Sequence, residues 1–467
     1  MAFSIPVEYR SFLPRFYRLS MIGILSNMMI PLASLVDAAF LGHLENIDYL
    51  AGVILGGILF DYLYRILKFL RSTTNSLTAN AAGKNDPAAV LAAILQCGLV
   101  ALAIAGGMLL LQYPLHKFGF ALLSGSTDIE AAGLDYFNAR IWGAPAVLLN
   151  FVLLGSFLGR EMNWLVLLIS FVGNGSNVLL DYLMISRWGW ESMGAGLATA
   201  ISQYLALGVG LVAIACTTEW QFLGAAWQKV KEKDGFTSTM TLKGNLLMRY
   251  FILISAYSIF TNLSASFGTE TLAENGLLLQ IALLSQFTVQ GIGMTAQTLI
   301  GNFKGKGETQ QILSVLKLAL GSGLIISLGF ALVTVFCPHL IFQILTNHQD
   351  VTQAMGQSAT WLVPLLSLTA AVFMLESYFT GVKDGATLRN GSILSFCVGF
   401  FPLVCLAIHR HSGDLLWGAL TAYMGVMLVF LTYQLINQHG ALLFGDGRSG
   451  EQSPRIRRSP TEKQASS

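Results

Sequence analysis

Charge is what this sequence has least of. Only 11% of its 467 residues are Asp, Glu, Lys or Arg, against about a quarter in an ordinary soluble domain. A mean hydropathy of +0.62 points the same way. These values exclude a soluble globular protein. The net charge of +2 says little about partners, and no nucleic acid is expected among them. Cysteine is scarce too. Cys97, Cys216, Cys337, Cys397 and Cys405 all fall in apolar runs, so they read as small buried residues rather than a disulfide framework or a metal site. The opening MAFSIPVEYRSFLPRFYR lacks the basic–apolar–small order of a cleaved signal peptide, and the first apolar run is long enough to span and remain.

What the chain does have is length without charge. Met193–Thr218, Ala88–Tyr113, Leu318–Phe336, Ser392–Ile408 and Leu415–Gln438 contain no charged residue, and a bilayer helix needs roughly 20 mostly apolar residues. Twelve spans are predicted, at about 19–41, 49–72, 89–112, 138–159, 163–185, 193–217, 249–268, 275–300, 312–336, 359–381, 391–409 and 415–437. The second is interrupted by Asp61, Arg65 and Lys68. Trp142, Trp164, Trp188, Trp190, Trp361 and Trp417 lie near predicted ends, where interfacial tryptophans belong. The expected fold is an all-α polytopic membrane protein of twelve transmembrane helices.

An even number of spans puts both termini on one side. The connections on that side hold most of the Lys and Arg, including Arg10, Arg15, Arg18, Lys84, Arg160, Lys229, Lys231, Lys304, Lys306, Lys383 and the tail, against Lys117, Arg140, Arg187 and Arg410 opposite. By the positive-inside rule both termini are cytoplasmic. The longest polar connection, Thr218–Asn245, divides the spans six and six. The expected organisation is therefore an N-lobe over 1–217, a cytoplasmic linker over 218–247, a C-lobe over 248–440 and a disordered tail over 441–467.

The halves repeat. GKND at 83–86 matches GKGE at 305–308, SFLG at 156–159 matches YFTG at 378–381, and GLATA at 196–200 matches GALTA at 418–422, each 222 positions apart and on corresponding spans. Three matches at one offset argue for a duplicated six-helix unit, giving two pseudo-symmetric lobes with a substrate site between them.

One feature is not duplicated. The first span carries Asn27, Ser34 and Asp37, with Pro31 inside it to bend the helix and free a carbonyl. The fifth carries Asn174, Asn177 and Asp181 at helical spacing, a polar stripe on an apolar cylinder. Asn150 and Thr199 on the fourth and sixth spans add candidate oxygens. Shifting Asn174, Asn177 and Asp181 by 222 lands on Phe396, Gly399 and Leu403, and Asp37 shifts to Ile259. Neither stripe contains Lys or Arg. Two carboxyls in one poorly solvated pocket resist joint ionisation, so the set reads as an ion-coupling site for H+, or for Na+ held by Asp37 and Asp181 with their amide neighbours. The bland alternative is protonated acids bonding neighbouring helices. Asp61 and Arg65, four apart, read first as an ion pair within the helix and second as part of a hydrated cavity. Glu376, Gln280, Gln286 and Gln290 read equally as cavity lining or as structural bonds. The histidines fall near span ends or in loops and read as interfacial. No cofactor is expected.

PLASLVDAAFLGHL, FLRSTTNSLTANAAGKND, LLNFVLLGSFLGRE, NVLLDYLMI, GAGLATAISQY and FMLESYFTGVKDGATLRN together resemble the multidrug and toxic compound extrusion (MATE) family, in its DinF-like branch, over roughly residues 10–440. The resemblance implies two six-helix lobes around a cleft that opens to each side in turn, and export of an organic solute in exchange for inward H+ or Na+. It implies a coupling site of Asp37, Asn177, Asp181, Asn150 and Thr199, with Asp37 as principal acceptor and Pro31 as the hinge. A monomer is expected, in a bacterial inner membrane or alternatively an organellar envelope, with the lipid bilayer and a small organic molecule as partners. Span two carries Asp61, Arg65 and Lys68, and span ten carries Glu376 where Asp is more usual; these departures admit a carboxylate substrate as readily as a cationic drug. A lipid-precursor flippase is the alternative transporter. An intramembrane aspartyl protease is disfavoured because Asp37 and Asp181 stand in Val-Asp and Leu-Asp contexts.

Overall fold

A computed structural model describes residues 12–42, 47–122, 127–336 and 358–443. Cys337, His43, His339, His348 and the tail from 444 lie outside the described residues, as do the side chains of Ser34, Asp37 and His439. Among the described residues all regular structure is helical, as it must be where no water is present to satisfy backbone groups and no barrel is closed. Eleven helices are long and apolar enough to cross a bilayer: Asp48–Gly83, Pro87–Leu110, Thr127–Gly159, Asn163–Arg187, Glu191–Thr217, Thr239–Phe267, Thr271–Lys306, Thr309–Phe336, Ala359–Gly381, Gly385–Arg410 and Gly413–Gln438. The 30-residue helix Leu13–Gly42 precedes them and completes twelve.

Several spans run past their predicted ends. Span two continues through Lys68, where the helix tightens locally, to Gly83. The region expected as a polar linker is helical as well. Leu223–Lys231 forms a short amphipathic helix that buries Ala226 and Val230 against Leu91 and Ala92 of span three. Trp220, Leu223 and Trp227 remain exposed. Lys229 pairs with Asp86, which also caps span three by accepting the Ala89 N–H at 2.9 Å. Burial alone would raise the Asp86 pKa, but Lys229 and the Ala89 amide outweigh it and hold the carboxyl below its usual value. The stabilisation is therefore present above the ordinary carboxylate pKa and lost as pH falls through the lowered one.

The cysteine expectation needs correcting. Cys97 is buried, but Cys216, Cys397 and Cys405 are exposed on the outside of the bundle. In a membrane protein an apolar run has a lipid-facing side, so hydropathy does not distinguish interior from perimeter.

The duplication is visible in the backbone. Positive φ occurs at Asn85 and Gly307 (52° and 81°), at Glu161 and Lys383 (62° and 64°), and at Gly189 and His411 (67° and 47°), each pair 222 residues apart. Non-glycine residues rarely adopt this region, so the turns between spans are copies, not merely similar. The π-helical segments are not copied: Tyr182–Arg187 follows Asp181 in span five, whereas Ser395–Phe400 lies mid-span in span eleven.

The lobes meet along the half of the molecule where the chain begins. Spans two and eight cross there with backbone against backbone: a Cβ on Gly83 would overlap the Asn302 carbonyl, and one on Gly305 the Asn80 carbonyl. Gln297 Nε2 donates to the Ser72 carbonyl at 2.7 Å, Thr298 Oγ1 to Asn75 Oδ1 at 2.9 Å, and Ser76 Oγ to the Thr380 carbonyl at 2.6 Å. Two further bonds are related by the repeat. Asn302 Nδ2 donates to Glu161 Oε1 at 3.0 Å, and Lys383 Nζ donates to Asn80 Oδ1 at 2.9 Å. Glu161 is also paired with Arg15. Burial, with Lys84 and Lys304 nearby, pushes the Lys383 pKa down to about 8.

Candidate functional site

The N-lobe set is built on span five, held to span one at two levels. Asn163 Nδ2 donates to the Leu19 carbonyl at 3.1 Å, and Ser26 Oγ lies 2.6 Å from Ser170 Oγ. Further along the same face, Asn177 and Asp181 are buried, Asp181 at 1% exposure. Asp181 ends the regular helix of that span, and the wider π-helical turn begins with the next residue. Such turns recur at functional sites because they re-aim side chains. Asp37 lies on the span-one helix six residues beyond Pro31.

Not every predicted member joins. Asn174 is half-buried, and its Nδ2 donates to the Ser170 carbonyl of its own helix at 2.7 Å. Thr199 Oγ1 donates back to the Ala195 carbonyl at 2.9 Å. Asn150 is buried and held by Gln203, donating to that residue's carbonyl at 2.9 Å and to its Oε1 at 3.2 Å. Among the described residues Asn150 Oδ1 and Asn177 Nδ2 have no partner. The N-lobe thus holds an unspent acceptor oxygen on Asn150, an unspent donor on Asn177 and the buried Asp181 carboxyl, oxygens that could serve a proton or Na+. Among the described residues no cluster of three His, Cys, Asp or Glu offers a site to another metal.

Asn27 belongs elsewhere. Its Oδ1 accepts from Arg71 Nη1 at 3.3 Å, and its Nδ2 donates to the Phe287 carbonyl of span eight at 3.4 Å. The stripe that lacks a base in the sequence receives one from span two. Pro31 lies within a continuous helix and has no N–H to give, so the Asn27 carbonyl four residues back loses its usual helical donor.

In the C-lobe, Glu376 is paired with Arg249 of span seven through two hydrogen bonds, one of them 2.9 Å long, and both side chains are largely buried. Beside them lies a cavity of about 50 Å3, bordered also by Ser72, Tyr250, Gln290 and Gln297. It has room for a few waters, since one needs roughly 10–15 Å3 of such space, and is too small for an organic solute. Gln286 Nε2 donates to the Tyr257 hydroxyl at 2.7 Å, and Gln280 is exposed. Asp61 and Arg65 approach to 3.9 Å with side chains 63% and 40% exposed, a weak pair.

Sequence reasoning missed Arg249, Gln203 and the Arg71–Asn27 bond. Arg249 stands at the edge of an apolar run, where a charge looks interfacial. Gln203 does not stand out in span six. The partner of Asn27 is a fact of packing with no local signal.

A family model described as MatE matches residues 23–183 and 246–405, one match in each lobe. The DNA damage-inducible protein F of Escherichia coli K12 is 27% identical over 410 residues, 88% of this chain and 89% of that protein. Among solved structures, a mutant form of a Vibrio cholerae MATE transporter superposes with a TM-score of 0.81 at 19% identity, over 92% of this chain and 98% of its own. A MOP superfamily transporter from Pyrococcus furiosus, described by the reverse polarity of its binding pocket, gives 0.79 at 16% identity, over 90% and 95%.

Proposed function

The chain belongs to the MatE family, whose members are membrane transporters and not enzymes, and from that premise we propose that it is a secondary antiporter. It exports an organic solute in exchange for inward H+ or Na+. Asp37 and Asp181 take up the ion, Asn177 and Asn150 complete the pocket, and Pro31 is the bend that links occupancy to lobe geometry. The observation that carries this reading is an asymmetry. The two lobes repeat turn for turn, yet buried Asn177 and Asp181 correspond to Gly399 and Leu403. A carboxyl kept in one lobe at the cost of desolvation needs a task there.

With both termini cytoplasmic, as the basic connections favour, the closed half is the inner one and the arrangement is outward-facing. Ion binding drives the return only if the two states bind the ion differently. A change in the bend of span one supplies such a difference. The membrane is the bacterial inner membrane, in keeping with the Escherichia coli relative, and the working unit is a monomer.

Asp37→Asn is expected to abolish gradient-driven efflux in proteoliposomes while leaving expression and the melting midpoint intact. Efflux at the wild-type rate under both pH and Na+ gradients would remove Asp37 from the mechanism. Separate application of the two gradients to the wild type identifies the coupling ion.

A further inference from the structure

Span two presents a stripe of charge to the lobe interface, and it is unbalanced. Asp61, Arg65 and Lys68 follow one another at helical spacing, and Arg71 comes three residues later. Exposure falls along this order, from 63% for the Asp61 side chain and 40% for Arg65 to 5% for Arg71, with Lys68 half-buried between. The stripe thus descends from an accessible half of the molecule to the closed one. It holds three cations and one acid, and the acid faces Arg65.

Lys68 and Arg71 are therefore left without a countercharge among the described residues. Lys68 Nζ stands over the Phe287 ring at 5.3 Å, a favourable but neutral contact. Arg71 has one bond to the neutral Asn27 at 3.3 Å, and its Nε has no partner. Arg160 and Lys243 also lack an acid, but they stand at span ends, where they bond the Thr217 and Gln96 carbonyls; the other cations are partnered differently. Arg249, equally buried, is clasped by Glu376, and Arg15 by Glu161. Arg140 lies against the Phe60, Tyr64 and Tyr136 rings and bonds the Tyr136 hydroxyl. A desolvated cation without an anion costs several kcal/mol, and charges within a membrane span mark substrate or ion pathways.

Resting on the transporter reading above, we infer that Lys68 and Arg71 form the head-group site for an organic anion, a carboxylate or sulfonate on an apolar body. The guanidinium fork matches two oxygens of such a group, and the ammonium adds a point charge. Phe287, half-buried beside Lys68, meets the apolar body. The cavity bordered by Ser72, next in sequence to Arg71, is too small for the organic body, and its one acid, Glu376, is already neutralised by Arg249, so it sets no free negative charge beside the two cations. A lipophilic cation would meet two like charges there.

The test uses the purified full chain in detergent and two probes of one shape and opposite charge, naphthalene-2-sulfonate and naphthyl-trimethylammonium, titrated calorimetrically. The sulfonate is expected to bind at least about tenfold tighter than the ammonium, with Lys68→Gln and Arg71→Gln each weakening it about tenfold or more and Lys68→Arg retaining it. Equal or tighter binding of the ammonium overturns the inference. So does unchanged sulfonate affinity in Lys68→Gln, which disturbs fewer contacts than Arg71→Gln and decides the matter if that variant does not fold. Displacement of the sulfonate by phosphatidylglycerol added to the micelles would assign the two cations to a lipid headgroup and equally overturn it. Counterflow in proteoliposomes separates the two readings. Sulfonate binding through Lys68 and Arg71 without gradient-driven exchange upholds this site and overturns antiport. Gradient-driven exchange of the ammonium, unaffected by Lys68→Gln, does the reverse.

Discussion

Arg249 and Glu376 illustrate how a single pair of residues is both structural and confined. Each is largely buried, and each supplies the other's only charge-assisted bonds among the described residues. Removing one partner leaves a desolvated charge, whereas removing both leaves an apolar gap that neighbours can fill. Arg249→Met and Glu376→Leu are each expected to cost about 3–5 kcal/mol, and the double variant much less than their sum. The check is the melting midpoint of all four proteins in one detergent; additive losses would refute the pairing. Asp181 differs from Glu376 in kind, since its place in the repeat is taken by Leu403 in the other lobe. A buried acid that one copy does without answers a need other than folding.

At the scale of elements, the crossing of spans two and eight sets how far the lobes can close. Gly83 and Gly305 are related by the repeat, and each faces a carbonyl of the opposite span with no room for a Cβ. A side chain must push these helices apart, because backbone atoms cannot rotate out of its way. Gly83→Leu is therefore expected to leave the fold intact, open the closed side, and raise labelling of an Asn80→Cys thiol by a polar maleimide several-fold. Unchanged labelling would show that closure does not depend on this approach. The linker helix Leu223–Lys231 is a second element whose role is positional: Lys229, Ala226 and Val230 fasten it to the start of span three, and Trp220 and Trp227 stay exposed, a residue type favoured at membrane interfaces.

For the whole molecule, the repeat is the organising fact. Two copies of a six-helix unit share their turn geometry and meet through reciprocal bonds, Glu161 with Asn302 and Lys383 with Asn80. These two stand beside the Ser72–Gln297, Asn75–Thr298 and Ser76–Thr380 bonds, so the closed arrangement is held by several separate contacts that can be exchanged for others when the lobes rock. Joining Asn80→Cys to Lys383→Cys with a short thiol-specific cross-linker is expected to stop counterflow, and reductive release to restore it. Counterflow through the cross-linked protein at the uncross-linked rate would exclude a cycle in which these lobes separate.

The sequence by itself determined the twelve spans, the six-and-six division and the 222-residue repeat, because a bilayer demands long apolar helices and duplication leaves its register in the turns. It also isolated Asn177 and Asp181, since a polar stripe is conspicuous on an apolar cylinder. It misjudged Cys216, Cys397 and Cys405, because lipid and protein interior are equally apolar. Only the tertiary structure decided that Arg71 meets Asn27, that Glu376 meets Arg249 and that Lys68 is left with the ring of Phe287. Those outcomes depend on which faces of separate helices come together, and no periodicity within one helix encodes its neighbour.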